Sequence, residues 1–231
     1  MLILGRDDGI SFNMDVRDIK RQFPIWRGWY GRFLPKDKSA KILDVGCGRG
    51  GMVYWLTEAG YANVEGIDIN RDKIDEGLSL GIKNINHGDA VSFLKGKQDR
   101  YDGVFMIDVL DSLTKEEVTN LLEEVLKSLK KGGKVVVRDS NFESPAGRLR
   151  QSDFGGKIEI TEQALKNVLE KLGFKEVGAY PVRPVVHGIK SLVRYCLWRI
   201  IEAILKVYRL IEVGSPAGIF TQNIIAVGKK D

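Results

Sequence analysis

The sequence predicts an α/β fold built on a doubly wound, seven-stranded and mostly parallel sheet. Three observations predict it: short β-branched runs alternate with helical patterns, a glycine-rich loop follows the first run, and acidic residues follow the next ones. The 231 residues suffice for one large domain, so we expect a single domain over 1–231. Within it we expect a helical, basic-aromatic segment at 1–36, a core at 37–180, a helical insertion at 181–213 and a final strand at 214–231.

Seven short runs are expected to form the strands of this sheet. Their apolar and β-branched composition is typical of parallel strands that are buried on both faces. In chain order the runs are 41–46, 64–69, 82–87, 101–108, 134–139, 174–180 and 221–230.

Helical patterns separate the strands. The clearest spans 115–130, where Thr114 and Glu117 form a capping box and apolar residues recur at helical spacing from Val118 to Leu129. Two lysines and two glycines at 130–133 are expected to end this helix. The remaining patterns lie at 51–60, 71–79, 90–96 and from Thr161 to Gly173.

The composition excludes several classes of protein. Apolar residues make up 43% and charged residues 29%, which is ordinary for a globular domain and excludes a disordered or collagen-like chain. Two cysteines and two histidines exclude a disulfide framework and a four-ligand zinc site, so we expect no metal. The first residues lack a signal-peptide pattern and no apolar run is long enough to cross a bilayer, which favours a cytoplasmic protein.

The first strand leads into a glycine-rich loop, Asp-Val-Gly-Cys-Gly-Arg-Gly-Gly at 44–51. Such a loop lets the backbone approach a ligand, although glycine-rich turns also occur as plain structure. Asp68 stands 20 residues beyond Gly48 at the end of the second strand, where a carboxylate can accept two ribose hydroxyls. Asp89 follows the third strand, where its carboxylate could accept a hydrogen bond from an adenine amine. The alternative is that it caps the next helix.

At this point the chain resembles the class I S-adenosylmethionine-dependent methyltransferases. The resemblance rests on five segments: ILDVGCGRGG (42–51), VEGIDIN (64–70), HGDA (87–90), YDGVFMIDVLDSL (101–113) and LKKGGKVVVRDS (129–140). It implies a Rossmann-like methyltransferase fold with a reversed last strand. It also implies S-adenosyl-L-methionine as cofactor and S-adenosyl-L-homocysteine as product.

The resemblance also implies a role for individual residues. Those expected to hold the methionine part are Asp44, Gly46, Cys47, Gly48 and Gly50. Asp68 and Ile69 are expected at the ribose, Asp89 and Ala90 beside the adenine, and Ile107 and Asp108 beside the cofactor at the fourth strand.

Other readings of the same motifs are less well supported. No tyrosine has a lysine four residues later, which argues against a short-chain nicotinamide dehydrogenase. The fourth strand lacks the Asp/Asn-Pro-Pro-aromatic segment of enzymes that methylate exocyclic base nitrogens. Neither cysteine is placed as the nucleophile of a cytosine C5 enzyme, so nucleic acid is disfavoured as acceptor.

The net charge of +5 is concentrated in 1–36 and 181–212, which indicates an anionic partner. Within the second segment, 188–212 predicts a long helix with one apolar face and basic residues on the other. Such a helix is typical of a surface-lying membrane anchor, and covering the sheet or forming a dimer interface are the alternatives. Because the segment follows the sixth strand, we expect it to roof the acceptor side.

The C-terminal third resembles methyltransferases of bacterial surface-polysaccharide and lipopolysaccharide biosynthesis. The matching segments are 144–161, 181–198 and 213–227. The resemblance implies a sugar or lipid-linked glycan hydroxyl as acceptor, methylated at the inner membrane surface. It breaks after Asp153 and Phe154, where Gly-Gly-Lys stands in place of a histidine-containing segment.

Few residues suit acid–base chemistry. His187 follows the sixth strand and is the first choice for a general base, with a polar turn residue as the alternative. Asp111 could orient an acceptor hydroxyl or cap the following helix. Arg138 and Asn141 are expected to contact the acceptor, and His87 is expected to be structural. Arg148 and Arg150 are expected to bind a phosphate or carboxylate of the substrate, with a solvated loop as the alternative. RNA, a small molecule, or cofactor binding without catalysis remain as alternative functions.

Overall fold

The computed structural model describes residues 15–145 and 158–231. Seven strands form one sheet in the order β3-β2-β1-β4-β5-β7-β6, and β7 runs antiparallel to both of its neighbours. This confirms the mostly parallel seven-stranded sheet with a reversed last strand. The strands are β1 (Lys41–Val45), β2 (Asn63–Asp68), β3 (Ile85–His87), β4 (Tyr101–Ile107), β5 (Leu129–Ser140), β6 (Lys175–Pro181) and β7 (Asn223–Lys229).

Helices cover both faces of this sheet. The α-helices are α1 (Val16–Tyr30), α2 (Gly51–Glu58), α3 (Arg71–Ser79), α4 (Ala90–Leu94), α5 (Lys115–Ser128), α6 (Glu162–Leu172) and α7 (Ile189–Val213). One apolar core packs around α5 and α6, and the other packs around α1 and α2 with Trp55 at its centre. The carboxyl ends of β1 to β6 meet at one edge, which is where open α/β sheets bind ligands.

Two expected strand boundaries are wrong. The third strand was expected over 82–87, but it begins at Ile85 because Asn84 has a φ of 62°, a left-handed conformation that ends an extended run. The fifth strand was expected over 134–139, but it begins at Leu129, which lies opposite Tyr101 of β4. As a result α5 ends at Ser128 rather than within the lysine–glycine segment.

Helix α5 has the expected cap and buries the expected face. The Thr114 side chain accepts the Glu117 N–H, and the Glu117 carboxylate accepts the Thr114 N–H. Its apolar stripe is buried in the core, with Leu122 and Val125 at 0% exposure. This helix therefore stabilises the domain chiefly through apolar burial.

Helix α7 lies in the chain between β6 and β7 and is packed in a different way. Glu202 is its one buried residue, and large apolar side chains such as Ile200 and Ile204 are exposed. The Glu202 carboxylate accepts two hydrogen bonds from Arg183, at 2.6 and 3.1 Å. The alternative in which this helix covers the sheet with its apolar face is therefore wrong. Across residues 15–145 and 158–231, no helix combines the length and the apolar character needed to cross a membrane.

Candidate functional site

The glycine loop after β1 is held tightly against β2. Gly46, Gly48 and Gly50 all have left-handed φ values, of 72°, 54° and 79°. A Cβ at Gly46 would lie 2.5 Å from Cγ2 of Val109, so this position excludes any side chain. The loop therefore presents backbone, rather than side chains, at the edge of the sheet.

The Asp68 carboxylate is fixed at the end of β2 beside this loop. Its Oδ2 accepts the Gly48 N–H at 2.7 Å, and its Oδ1 accepts the Asn70 N–H at 2.7 Å. The next side chain, Ile69, is 74% exposed. A fixed carboxylate and an exposed apolar side chain thus lie together where a nucleoside would need a hydroxyl acceptor and an apolar contact.

Asp44 is a buried carboxyl group at the end of β1. Burial, and then the Asp68 carboxylate, raise its pKa to about 8. In the part of the chain that the structure describes, no lysine or arginine pairs with it. The same surroundings, chiefly burial, raise the pKa of the neighbouring Cys47 thiol. The thiol therefore stays protonated and packs as a small apolar side chain.

These observations fit the methionine part of S-adenosylmethionine. Its ammonium and sulfonium groups carry positive charge, and a buried carboxyl without a cationic partner is a favourable neighbour for such a charge. The Asp68 carboxylate and the exposed Ile69 fit the ribose and the adenine.

Asp89 caps α4, as the structural alternative predicted. Its Oδ1 accepts the Ser92 N–H at 2.8 Å, and this backbone hydrogen bond is the main cause that lowers its pKa. The next residue, Ala90, begins α4. Together they place the first turn of α4 beside the carboxyl end of β3.

Asp108 follows Ile107 at the end of β4 in a left-handed conformation with a φ of 56°. Nη1 of Arg138 lies 2.5 Å from its Oδ2 and fixes the carboxylate. Arg138 is nearly buried and also lies over the Trp29 ring, at 5.5 Å from its centroid. Arg138 is therefore held by Asp108 and Trp29 at the end of β5.

A second buried carboxyl supports the turn after β4. Asp139 is fully buried, and its Oδ2 accepts the N–H groups of Leu110 at 2.9 Å and Asp111 at 3.3 Å. Burial is the main cause that raises its pKa to about 8, followed by the charges of Asp111 and Asp108. Asp139 thus fixes the backbone that carries Asp111.

Two roles considered for residues near this edge are wrong. Asn141 was expected to contact the acceptor, but it is fully buried and its amide donates to the Ile219 and Thr221 carbonyls at 2.6 and 3.0 Å. Asp111 does not cap the following helix, because Thr114 does so. Arg148 and Arg150 lie outside the described residues. His87 is exposed at the end of β3.

A cavity of about 300 Å³ opens beside this edge, on the face that α1 covers. It is lined by Gly28, Trp29, Arg32, Tyr180, Pro181, Arg183, Pro184, Val185 and Ile225. One row of paired residues crosses four strands to reach it: Ile107 pairs with Arg138, Arg138 with Ile225, and Ile225 with Tyr180. The cavity therefore lies in line with the end of β4.

His187 stands two residues beyond the cavity lining. Its Nδ1 is 2.9 Å from the Val185 carbonyl oxygen, and its backbone N–H donates to Oγ of Ser191 at 2.8 Å. The ring is exposed. The residue is thus a turn residue with one ring nitrogen held, and it follows closely after the lining residue Val185.

Sequence reasoning missed the partners that build this cavity. Trp29 and Arg32 fall in the basic-aromatic segment predicted at 1–36, but neither these two residues nor Tyr180 was predicted to line a cavity. Trp29 donates from Nε1 to the Arg183 carbonyl at 2.8 Å, a contact across 154 positions of the chain. No local pattern reports such a pairing; the clustering of aromatic residues at 26–33 was the available signal.

No group of three or more histidine, cysteine, aspartate or glutamate side chains that could hold a metal ion occurs among residues 15–145 and 158–231.

Known proteins similar to this chain agree on one family. A family model described as a methyltransferase domain matches residues 19–178. O-methyltransferase 3 of Dictyostelium discoideum is 24% identical over 221 residues, which cover 82% of this chain and 48% of that protein. The chain therefore spans about half the length of this curated relative.

Two solved structures illustrate the likeness of fold. A SAM-dependent methyltransferase from Archaeoglobus fulgidus has a TM-score of 0.67 at 23% identity, covering 94% of this chain and 100% of that chain. Phosphoethanolamine N-methyltransferase 2 of Haemonchus contortus, in complex with S-adenosyl-L-methionine, has a TM-score of 0.64 at 16% identity, covering 99% of this chain and 59% of that chain. Since the family model spans most of the chain and the glycine loop with Asp44 and Asp68 fits the cofactor, the chain belongs to the methyltransferase domain family and is a domain of the S-adenosylmethionine-dependent methyltransferase class.

Proposed function

We propose that this domain transfers a methyl group to a hydroxyl of a sugar-sized acceptor, such as a sugar of a lipid-linked glycan. The observation that carries the proposal is the cavity of about 300 Å³ with aromatic walls, in line with the end of β4. The printed name of the Dictyostelium relative, an O-methyltransferase, supports oxygen as the acceptor atom.

The cofactor side is assigned to the edge formed by β1, β2 and β4. When bound, S-adenosylmethionine supplies an electrophilic methyl group on a sulfonium. Asp44 and the loop glycines Gly46, Gly48 and Gly50 face its methionine part, and Asp68 accepts hydrogen bonds from the ribose hydroxyls. The adenine lies between Ile69, Asp89 and Ala90, and Ile107 and Asp108 bound the site at β4.

The acceptor side is assigned to the cavity. Trp29 and Tyr180 contribute aromatic side chains to its wall, against which the apolar face of a sugar can pack. The Arg32 guanidinium lies 4.2 Å from the centroid of the Tyr180 ring and 4.5 Å from that of Phe33, so it is held at the rim with its donors available to acceptor oxygens. The enzyme then acts mainly by aligning donor and acceptor for in-line displacement.

His187 is assigned as the general base. A carbonyl oxygen can only accept a hydrogen bond, so the contact with Val185 holds the tautomer in which Nδ1 carries the proton. That tautomer leaves a lone pair on Nε2 to receive the proton of an acceptor hydroxyl. Asp111, whose backbone is held by Asp139, is assigned to orient that hydroxyl.

The proposal places the enzyme in the cytoplasm, with peripheral contact to the inner membrane surface through 188–212. RNA, another small molecule, and a cofactor-binding module without catalysis are the competing functions. Each predicts a different fate for a labelled methyl group.

The first experiment supplies methyl-labelled S-adenosylmethionine with fractionated bacterial extract to the purified protein. Label in the lipid-linked glycan pool that survives mild alkali, as a methyl ether does and a methyl ester does not, is the expected result. Label in RNA, protein or unrelated small molecules would overturn the glycan assignment, and binding of cofactor without label in any pool would favour the non-catalytic module.

A second experiment tests the base. His187→Gln is expected to lower kcat by about 10²-fold or more while leaving cofactor affinity unchanged, because general bases contribute on that order. His87→Gln is the matched control, since it is the other histidine of the chain. An equal kcat of the two variants would show that His187 is not the general base.

A further inference from the structure

Helix α7 faces the rest of the protein with a narrow, largely polar stripe. Most of its partly or fully buried residues recur every three or four positions: Ser191, Tyr195, Trp198, Glu202, Leu205 and Arg209; Lys206 is also partly buried. Two contacts anchor this stripe, from Glu202 to Arg183 at 2.6 Å and from Arg209 to Glu143 at 3.8 Å. The helix is thus attached through two ion pairs and a few partly buried side chains, and most of its large apolar residues take no part in the contact.

The opposite side of α7 is a continuous exposed apolar face. Val193, Leu197, Ile200, Ile204, Val207 and Ile211 also recur every three or four positions and lie opposite Glu202. Each is more than half exposed, from 53% for Val193 to 81% for Ile211. A contiguous apolar face along a 25-residue helix is larger than monomeric soluble proteins usually expose, and it marks a docking surface.

Basic side chains border both edges of this face. Helical spacing places Lys190 and Arg194 along one edge and Arg199 along the other, and all three are exposed. The two carboxylates of α7 are Glu202, which is paired with Arg183, and Glu212 near the end of the helix. The border of the apolar face is therefore positively charged along the N-terminal half of the helix.

We propose that α7 docks on an anionic lipid bilayer, lying parallel to its surface with the apolar face in the headgroup–acyl boundary. Apolar residues facing the lipid and cations at the height of the phosphates are what such a surface favours. In a parallel pair of α7 helices from two copies of the chain, the two positive borders would instead lie against each other. In this orientation the 25 residues of α7 extend over about 37 Å of the surface.

This inference deepens the proposed function but is tested without it. Arg183, Pro184 and Val185, which line the cavity, lie on the segment that leads from β6 into α7. Docking of α7 would therefore bring the cavity close to the lipid headgroups, where a lipid-linked acceptor is found.

The test is co-sedimentation of the purified chain with vesicles of phosphatidylcholine containing phosphatidylglycerol, compared with vesicles of phosphatidylcholine alone. Binding to the anionic vesicles that weakens with salt is expected. Arg194→Glu/Arg199→Glu is expected to weaken it by at least about 25-fold, since each cation near such a surface contributes about fivefold in affinity and reversal adds repulsion. Leu197→Ser/Ile200→Ser/Ile204→Ser is expected to abolish it.

Lys83→Glu/Lys95→Glu is the matched control, because both lysines are exposed and lie outside α7. Every variant is first shown to bind S-adenosylmethionine as the wild type does, which verifies folding independently of any acceptor. Absence of vesicle binding, or equal loss in the control, would overturn the proposal. A wild-type dimer in light scattering that Ile200→Ser dissociates, without vesicle binding, would assign the face to a second copy instead.

Discussion

Helices α5 and α7 have the same kind of sequence and opposite packing. Both place large apolar residues at helical spacing on one side and charged residues on the other. In α5 the apolar side is buried and carries Leu122 at 0% exposure, whereas in α7 Ile200 is 59% exposed and Glu202 is buried. An amphipathic pattern therefore predicts a helix and its two faces, but it does not predict which face meets the protein.

Two buried carboxyl groups show the same contrast. Asp44, at the cofactor edge, has no cation beside it in the described chain, and burial raises its pKa to about 8. Glu202, on the inner side of α7, is bound by Arg183, and this hydrogen bond lowers its pKa. The first is suited to receive a cation from a ligand, and the second already has one from the chain.

The largest expected effect tests the two helices directly. Leu122→Ala is expected to lower the free energy of unfolding by about 2–5 kcal/mol, because it leaves a cavity in a core. Ile200→Ala is expected to change it by less than about 0.5 kcal/mol, since an exposed side chain loses little burial. Urea denaturation measures both. A large loss in Ile200→Ala would mean that α7 packs with its apolar face inward.

The next effect concerns pH and Asp44. Between the ordinary aspartate pKa and about 8, the folded protein holds a proton that the unfolded chain releases, so stability falls as pH rises. The slope is on the order of 1 kcal/mol per pH unit for each such group. Asp44→Asn is expected to reduce this slope. Part of the slope that remains comes from Asp139, whose pKa is also raised to about 8. Denaturation at pH 5.5, 6.5 and 7.5 measures it; an unchanged slope would contradict the assignment.

Asp68 provides a test of the cofactor edge. Asp68→Ala is expected to weaken S-adenosylmethionine binding by about 1 kcal/mol or more, because a carboxylate that accepts hydroxyl hydrogen bonds is lost. Calorimetry measures the affinity. Asp75→Ala removes an exposed carboxylate of α3 and serves as the control. Equal affinity in the two variants would show that Asp68 only supports the loop.

The smallest effect concerns Glu202. Glu202→Gln is expected to lower the free energy of unfolding by about 1 kcal/mol at neutral pH. Arg183 keeps a hydrogen-bond partner in the glutamine, but the negative charge opposite its guanidinium is lost. The pKa of Glu202 is lowered in the folded state, so its contribution is present above the ordinary glutamate pKa and is lost as pH falls through the folded value. Thermal unfolding over a series of pH values from 7 downwards checks this: the two proteins should differ at pH 7, and the difference should shrink as pH falls below the ordinary glutamate pKa.

Much of the fold was predictable because its signals are local. Strand composition, the Thr114 capping box and the left-handed glycines of the loop depend on neighbouring residues alone. Boundaries were less predictable where one residue decides them, as Asn84 does at β3. The role of Asn141 was not predictable, because its amide bonds to carbonyls that lie 78 and 80 positions away.

The sequence by itself determined the order of elements, the glycine loop, the acidic residues at the strand ends and the helical character of 188–212, because these follow from backbone preferences and short-range spacing. Only the tertiary structure decided that Trp29, Tyr180 and Val185 enclose a cavity and that Glu202 turns inward. The physical reason is that burial depends on which distant segments pack together. A periodic pattern predicts that a helix has an apolar face, but it does not specify the surface against which that helix packs.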